Sequence, residues 1–163
     1  MVKVPVEMTR ALHGEPHRKG TGGPMGKRGV DALSSVPLFK GLSRRHLRGL
    51  SGIAEEVHFG PDEPIIEEGY AGETFYALLE GETKVVRRGR TINRLYPGDF
   101  FGEVSLLDGG PRTASVIATT PVAVVRIYRR HFLKLVGAEP EIAFKIMVEL
   151  AHRVRGLERT FMS

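Results

Sequence analysis

Phe100-Phe101-Gly102-Glu103-Val104-Ser105-Leu106-Leu107-Asp108-Gly109-Gly110-Pro111-Arg112-Thr113-Ala114-Ser115-Val116 is the most informative stretch of this 163-residue chain. Gly102 allows a close backbone approach, and Glu103 to Leu107 read as a short helix whose free N–H groups face a group placed at Gly102. Arg112 follows the tight Gly109-Gly110-Pro111 turn, which returns the chain beside that helix start. A guanidinium and a helix N-terminus then converge on one point. They suit a phosphate held by charge-assisted hydrogen bonds, where the Arg fork is better matched than Lys. The carboxylate of Glu103 is repelled by phosphate but accepts strongly from a sugar hydroxyl, so the pair suits a ribose phosphate. Taken alone, Glu103 and Arg112 are equally consistent with a surface salt bridge that closes a turn.

On either side of this stretch the apolar period is two. Thr74 to Leu79, Thr83 to Arg88, Thr91 to Leu95, Thr113 to Ala118 and Val122 to Tyr128 read as short strands separated by turn residues such as Glu80-Gly81, Gly89 and Pro97-Gly98. That spacing predicts an antiparallel sandwich or barrel. Before the strands, Ser43 offers an N-cap, and Leu47, Leu50, Ile53 and Ala54 recur at helical spacing up to Glu56. After them, Gly137 is expected to end one short helix and Pro140 to open another. Along that last helix Ile142, Ile146, Leu150, Val154, Leu157 and Phe161 form an apolar stripe, to be packed on the barrel or paired with a second copy.

The composition fits this architecture. Twenty Gly and ten Pro indicate many turns, and an apolar fraction of 41% with 26% charged residues is ordinary for a globular protein. With no Cys there is no disulfide and no Cys-held metal. No run approaches the ~18 apolar residues of a spanning helix, and the N-terminus reads as lacking a signal peptide, so a cytoplasmic location is expected. The net charge of +5 is unevenly placed: residues 1–30 hold six Lys/Arg against two Glu, so residues 31–163 carry only +1. The stretch from Arg10 to Gly29, broken by Gly14, Gly20, Gly22, Gly23, Pro24 and Gly26, reads as disordered. Residues 1–30 are therefore taken as a basic tail and 31–163 as the folded domain.

At this point the sequence resembles the cyclic nucleotide-binding domain of bacterial catabolite activators, kinase regulatory subunits and cyclic nucleotide-gated channels. Gly102-Glu103-Val104-Ser105-Leu106 to Pro111-Arg112-Thr113-Ala114 is similar to that family's phosphate-binding cassette. Val36-Pro37-Leu38-Phe39, Glu67-Glu68-Gly69, Gly72-Glu73-Thr74-Phe75-Tyr76, Glu80-Gly81 and Pro97-Gly98-Asp99 match in the same order. The resemblance covers about residues 33 to 160. It implies a mainly β fold, an antiparallel jelly-roll barrel or sandwich with an N-terminal helix and two C-terminal helices.

The resemblance further implies a non-catalytic sensor of cAMP or cGMP that has no cofactor. Arg112 would bind the exocyclic phosphate oxygens and Glu103 the ribose 2′-OH. Backbone groups at Gly102, Ser105 and Thr113 would complete the cradle, with Val104 and Ala114 beside them. Thr113 stands where a hydroxyl can reach a guanine amino group, although cAMP receptors also carry Ser or Thr there. The base would be capped from the last helix near Arg153, Leu157 and Glu158, with Leu157 departing from the family's small hydroxyl residue. Contraction of the cassette would move Leu106 against Phe132 in the helix after the barrel and swing the last helix. The expected partners are the nucleotide, an unidentified effector protein and a second copy through the C-terminal helix, with no membrane.

Other readings are weaker. Residues Gly22 to Lys27 imitate a P-loop but have Thr21 and Arg28 where Gly and Ser/Thr belong. The six His are scattered, without the paired strand His and following Glu of a metal-dependent barrel enzyme. The basic tail alone would support only salt-sensitive, non-specific nucleic-acid binding. A degenerate fold serving as a docking or oligomerisation subunit is the remaining alternative.

Overall fold

The computed structural model describes residues 21–25 and 29–162. The chain runs through β1 (Thr21–Pro24), α1 (Gly29–Ser34), a 3-10 turn (Pro37–Phe39), α2 (Arg44–Ile53), β2 (Glu55–Phe59) and β3 (Pro64–Ile66). It continues through β4 (Thr74–Glu80), β5 (Thr83–Arg87), β6 (Arg90–Leu95), β7 (Phe100–Phe101) and α3 (Glu103–Asp108). β8 (Ser115–Ala118), β9 (Val122–Tyr128), α4 (Arg129–Ala138) and α5 (Pro140–Met162) complete it. Two antiparallel sheets form, one in the order β1-β2-β9-β4-β7 and the other β3-β8-β5-β6. The expected mainly β fold with flanking helices is present as a two-sheet sandwich.

The five-stranded sheet is buried on both faces, which explains why β4 and β9 read as nearly continuous apolar runs. Tyr76, Leu78, Val122 and Val124, with Val57 and Phe101 of the same sheet, form one cluster with Leu95 and Val116 of the second sheet. The alternate residues Phe75, Ala77, Val125 and Ile127 face the helices and meet Leu33, Phe39, Leu47, Leu50, Leu106, Phe132, Ile142 and Ile146. Each such fully buried large side chain contributes about 1.5–3 kcal/mol, so the helical layer is tied to the sheet that carries the site. The Ser43 hydroxyl accepts from the His46 N–H and starts α2, as its sequence position predicts.

Several boundaries differ from the sequence reading. The tail was expected to reach residue 30, but Thr21–Pro24 pairs with β2, and Met25 is buried against the helical core. β1 lies at the sheet edge, where Pro24 forfeits no interior ladder bond. Residues 1–20 lie outside the described residues. The α2 helix stops at Ile53, and Glu55 and Glu56 belong to β2. The Gly137 stop is also corrected: α4 runs to Ala138, and the N–H of Glu139 closes it on the Leu135 carbonyl. Pro140 opens α5 as expected. Of the predicted stripe, Ile142 and Ile146 are buried, Leu150 packs partly buried against the same core and Val154 is exposed, so the apolar packing of α5 on the body ends at Leu150. The Leu157 and Phe161 side chains lie outside the described residues.

Candidate functional site

Arg112 is held at the base of a cleft by contacts from three segments. Its backbone N–H donates to the Tyr70 carbonyl at 2.8 Å and its carbonyl accepts from the Gly69 N–H at 2.9 Å. A bridge between Ala71 and Pro111 aligns the two chains. Arg112 is only 2% exposed. Nη1 donates to the Gly102 carbonyl at 2.8 Å, and Nη2 donates to the Thr74 carbonyl at 2.7 Å and to Thr74 Oγ1 at 3.1 Å. These acceptors fix the orientation of the guanidinium fork at the base of the cleft.

Two glycines make room for this arrangement. A Cβ on Gly72 would lie 2.7 Å from both Cζ and Nε of Arg112 and 2.8 Å from the Ser105 Cβ. Gly102 has a φ of 90°, and a Cβ there would lie 2.9 Å from Arg112 Nη1 and from the Thr74 carbonyl. That left-handed conformation begins α3 and is costly for any residue with a side chain. The turn residues Gly69 and Gly72 therefore position the site as well as the fold.

Glu103, the first residue of α3, has 0% of its surface exposed. Its Oε1 accepts from Nη1 of Arg153, which reaches down from α5. Its Oε2 is buried and has no hydrogen-bond partner among the described residues. Burial raises the Glu103 pKa above its ordinary value of 4.5, and the Arg153 charge opposes that rise. Arg153 also makes 3.4 Å contacts with Glu149 and with the Phe100 carbonyl, and its Cζ lies 5.9 Å from the Phe100 ring centroid.

Gly102, Glu103, Val104, Ser105, Arg112, Thr113, Ala114 and Arg153 all line one cleft of about 730 Å³, within the size range of small-molecule sites. Leu106 and Phe132 lie behind it in the helical core, and Phe132 stacks on Phe75 with ring centroids 4.8 Å apart. α3 packs against α4, and Leu106 of the one and Phe132 of the other belong to the same buried apolar cluster. Arg153 sits on Glu103, where the sequence placed it near a base. Leu157 and Glu158 fall on α5, but their side chains lie outside the described residues. Sequence reasoning missed the far wall, formed by Arg87, Ile92 and Asn93 of the β5–β6 hairpin together with His152 of α5. The alternation in β5 and β6 marks a face, but nothing local indicates what that face looks onto.

Residues 56–139 match the family model described as "Cyclic nucleotide-binding domain". The chain belongs to the cyclic nucleotide-binding domain family. It is 38% identical over 113 residues to a cAMP-dependent protein kinase regulatory subunit of Eremothecium gossypii, covering 69% of this chain and 25% of that protein. It is 36% identical over 118 residues to a cGMP-dependent protein kinase of Toxoplasma gondii, covering 72% of this chain and 12% of that protein. A solved structure of cAMP-bound PfPKA-R superposes with a TM-score of 0.75 at 27% identity, covering 82% of this chain and 46% of that one. The chain thus spans a quarter or less of these two curated relatives. In this cyclic nucleotide-binding domain, among the described residues no helix is long and apolar enough to cross a membrane.

Proposed function

We propose that the chain is a cytoplasmic, non-catalytic cyclic nucleotide-binding module in which Arg112 takes the phosphate and Glu103 the ribose 2′-OH. The observation that carries this reading is the Oε2 of Glu103, a buried carboxylate oxygen without a partner among the described residues, in the cleft that also holds Arg112. An unsatisfied buried acceptor is costly, and a hydroxyl donor from the ligand removes that cost. The ligands named in the relatives, cAMP and cGMP, both supply a 2′-OH beside a cyclic phosphate. Backbone at Gly102, Ser105 and Thr113 would complete the cradle, with Val104 and Ala114 as apolar neighbours.

Output is proposed to run through the apolar contact behind the cassette. Contraction around the phosphate would shift Leu106 against Phe132 and thereby bias α4 and α5, with Arg153 holding α5 to Glu103. A second copy or an effector protein would read α5 through its exposed Phe144, Met147 and Val154. Calorimetric titration with cAMP and cGMP tests the ligand assignment. Micromolar or tighter binding, about −8 kcal/mol, that is abolished in Arg112→Ala is expected. An equal affinity in the variant would refute it, and the ratio of the two ligands reports what Thr113 reads.

A further inference from the structure

We propose that the β5–β6 hairpin is an electrostatic funnel that draws the anionic nucleotide to the cleft; the inference rests on the ligand reading above. The hairpin carries Lys84, Arg87, Arg88, Arg90 and Arg94, and no Asp or Glu occurs between Thr83 and Gly98. The rest of residues 31–163 carries thirteen basic against seventeen acidic side chains. The domain is therefore polarised, with a positive hairpin on an otherwise negative body.

The strand register makes this charge costly to keep. Lys84 stands opposite Arg94, and Arg87 opposite Arg90. Like charges at directly opposed positions destabilise an antiparallel pair. Among the described residues none of the five side chains enters an ion pair, and Arg88, Arg90 and Arg94 are exposed. Glu68 lies close enough to help, yet its Oε2 accepts from the Arg88 backbone N–H at 3.1 Å. A hairpin shaped only for stability would place Thr or Glu at one member of each pair.

The same two strands form the missing wall of the cleft. Arg87, Ile92 and Asn93 line it, and Arg87 Nε donates to the Thr113 carbonyl at 3.0 Å, which fixes the hairpin against the chain just after Arg112. Arg90, opposite the lining Arg87, stands on the cleft side of the hairpin, whereas Arg94, between the lining Asn93 and Leu95, adds its charge from the outer face; neither belongs to the ligand cradle. Inside it, Glu103 and Glu149 are both held by Arg153, so the hairpin's cations dominate the approach. A cleft with low-dielectric walls and one sign of charge at its mouth concentrates the field and raises the encounter rate of an oppositely charged ligand, by about 10 to 10³-fold in strong cases. Exposed cations at the mouth would act mainly before contact and would add little to the bound complex.

Stopped-flow association of a fluorescent cyclic AMP derivative, labelled on the base, with the full chain tests this at low and high salt. The wild-type association rate is expected to fall about tenfold with added salt. In Arg90→Gln/Arg94→Gln the low-salt rate should start several-fold lower with a shallower salt slope, while the dissociation rate stays within about twofold. Because the variant relieves both like-charge pairs, its melting temperature should equal or exceed that of the wild type. Arg90→Glu/Arg94→Glu should slow association further. An association rate that ignores both substitutions overturns the funnel and leaves the hairpin as a docking face for an acidic macromolecule. A loss carried by dissociation overturns it too. If the wild type binds no cyclic nucleotide at all, the ligand reading itself has failed.

Discussion

Arg153 of α5 donates to one oxygen of Glu103, and the other oxygen of that carboxylate is buried without a partner among the described residues. One residue therefore links the last helix to the floor of the cleft and still offers an unfilled acceptor to a ligand. The geometry gives Glu103 two roles, as the anchor of α5 and as the hydroxyl acceptor.

Glu103→Gln separates those roles. Burial holds the Glu103 pKa above 4.5, so the folded protein retains this proton to higher pH than the unfolded chain. The stability contributed by this group is thus full below 4.5 and is lost as pH rises through the folded-state pKa. In Glu103→Gln, urea midpoints measured from pH 4.5 to 7 should show a smaller decline than in the wild type. Nucleotide affinity should fall about tenfold, because a neutral amide oxygen accepts more weakly than a carboxylate. A steeper decline with unchanged affinity would contradict both assignments.

Gly72→Ala tests the space around Arg112. The added Cβ would fall 2.7 Å from the guanidinium and force it from the Gly102 and Thr74 carbonyls. Overpacking of this kind costs about 1–3 kcal/mol of stability. Affinity should drop by more than tenfold while the far-UV spectrum is retained; an unchanged affinity would show that the position of Arg112 is not what binds the ligand.

The contact between the cassette and α4 predicts a variant that binds but signals poorly. Phe132→Leu reduces the stack on Phe75 and loosens the apolar seat of Leu106. It should keep affinity within a few-fold yet weaken the ligand-induced change in hydrogen exchange along α4 and α5. Full retention of that change would place the switch elsewhere.

Much of this was legible in the sequence for identifiable reasons. β4 and β9 each expose one alternating set to each of two apolar layers, so their length and composition announce them. Glu103 and Arg112 sit within one local turn-and-helix unit, so their convergence could be inferred from spacing. β3 and β7 were not legible, because three and two residues are too few to display a period. β1 was hidden by its glycines and Pro24, and it is held through pairing with a strand more than thirty positions away. The apolar pattern of α2 runs directly into β2 without a breaker, which displaced that boundary. The pairing of Arg153 with Glu103 spans 50 positions and follows only from where α5 crosses the cleft.

The most direct measurement compares the affinity of the wild-type chain for cAMP and for its 2′-deoxy analogue by calorimetry. A hydrogen bond from the 2′-OH to the unpartnered oxygen of Glu103 predicts that the deoxy analogue binds roughly 10- to 100-fold more weakly, about 1.5–3 kcal/mol. The difference should shrink in Glu103→Gln. Equal affinities for the two ligands in the wild type would contradict the assignment of Glu103 and, with it, the central account of the site.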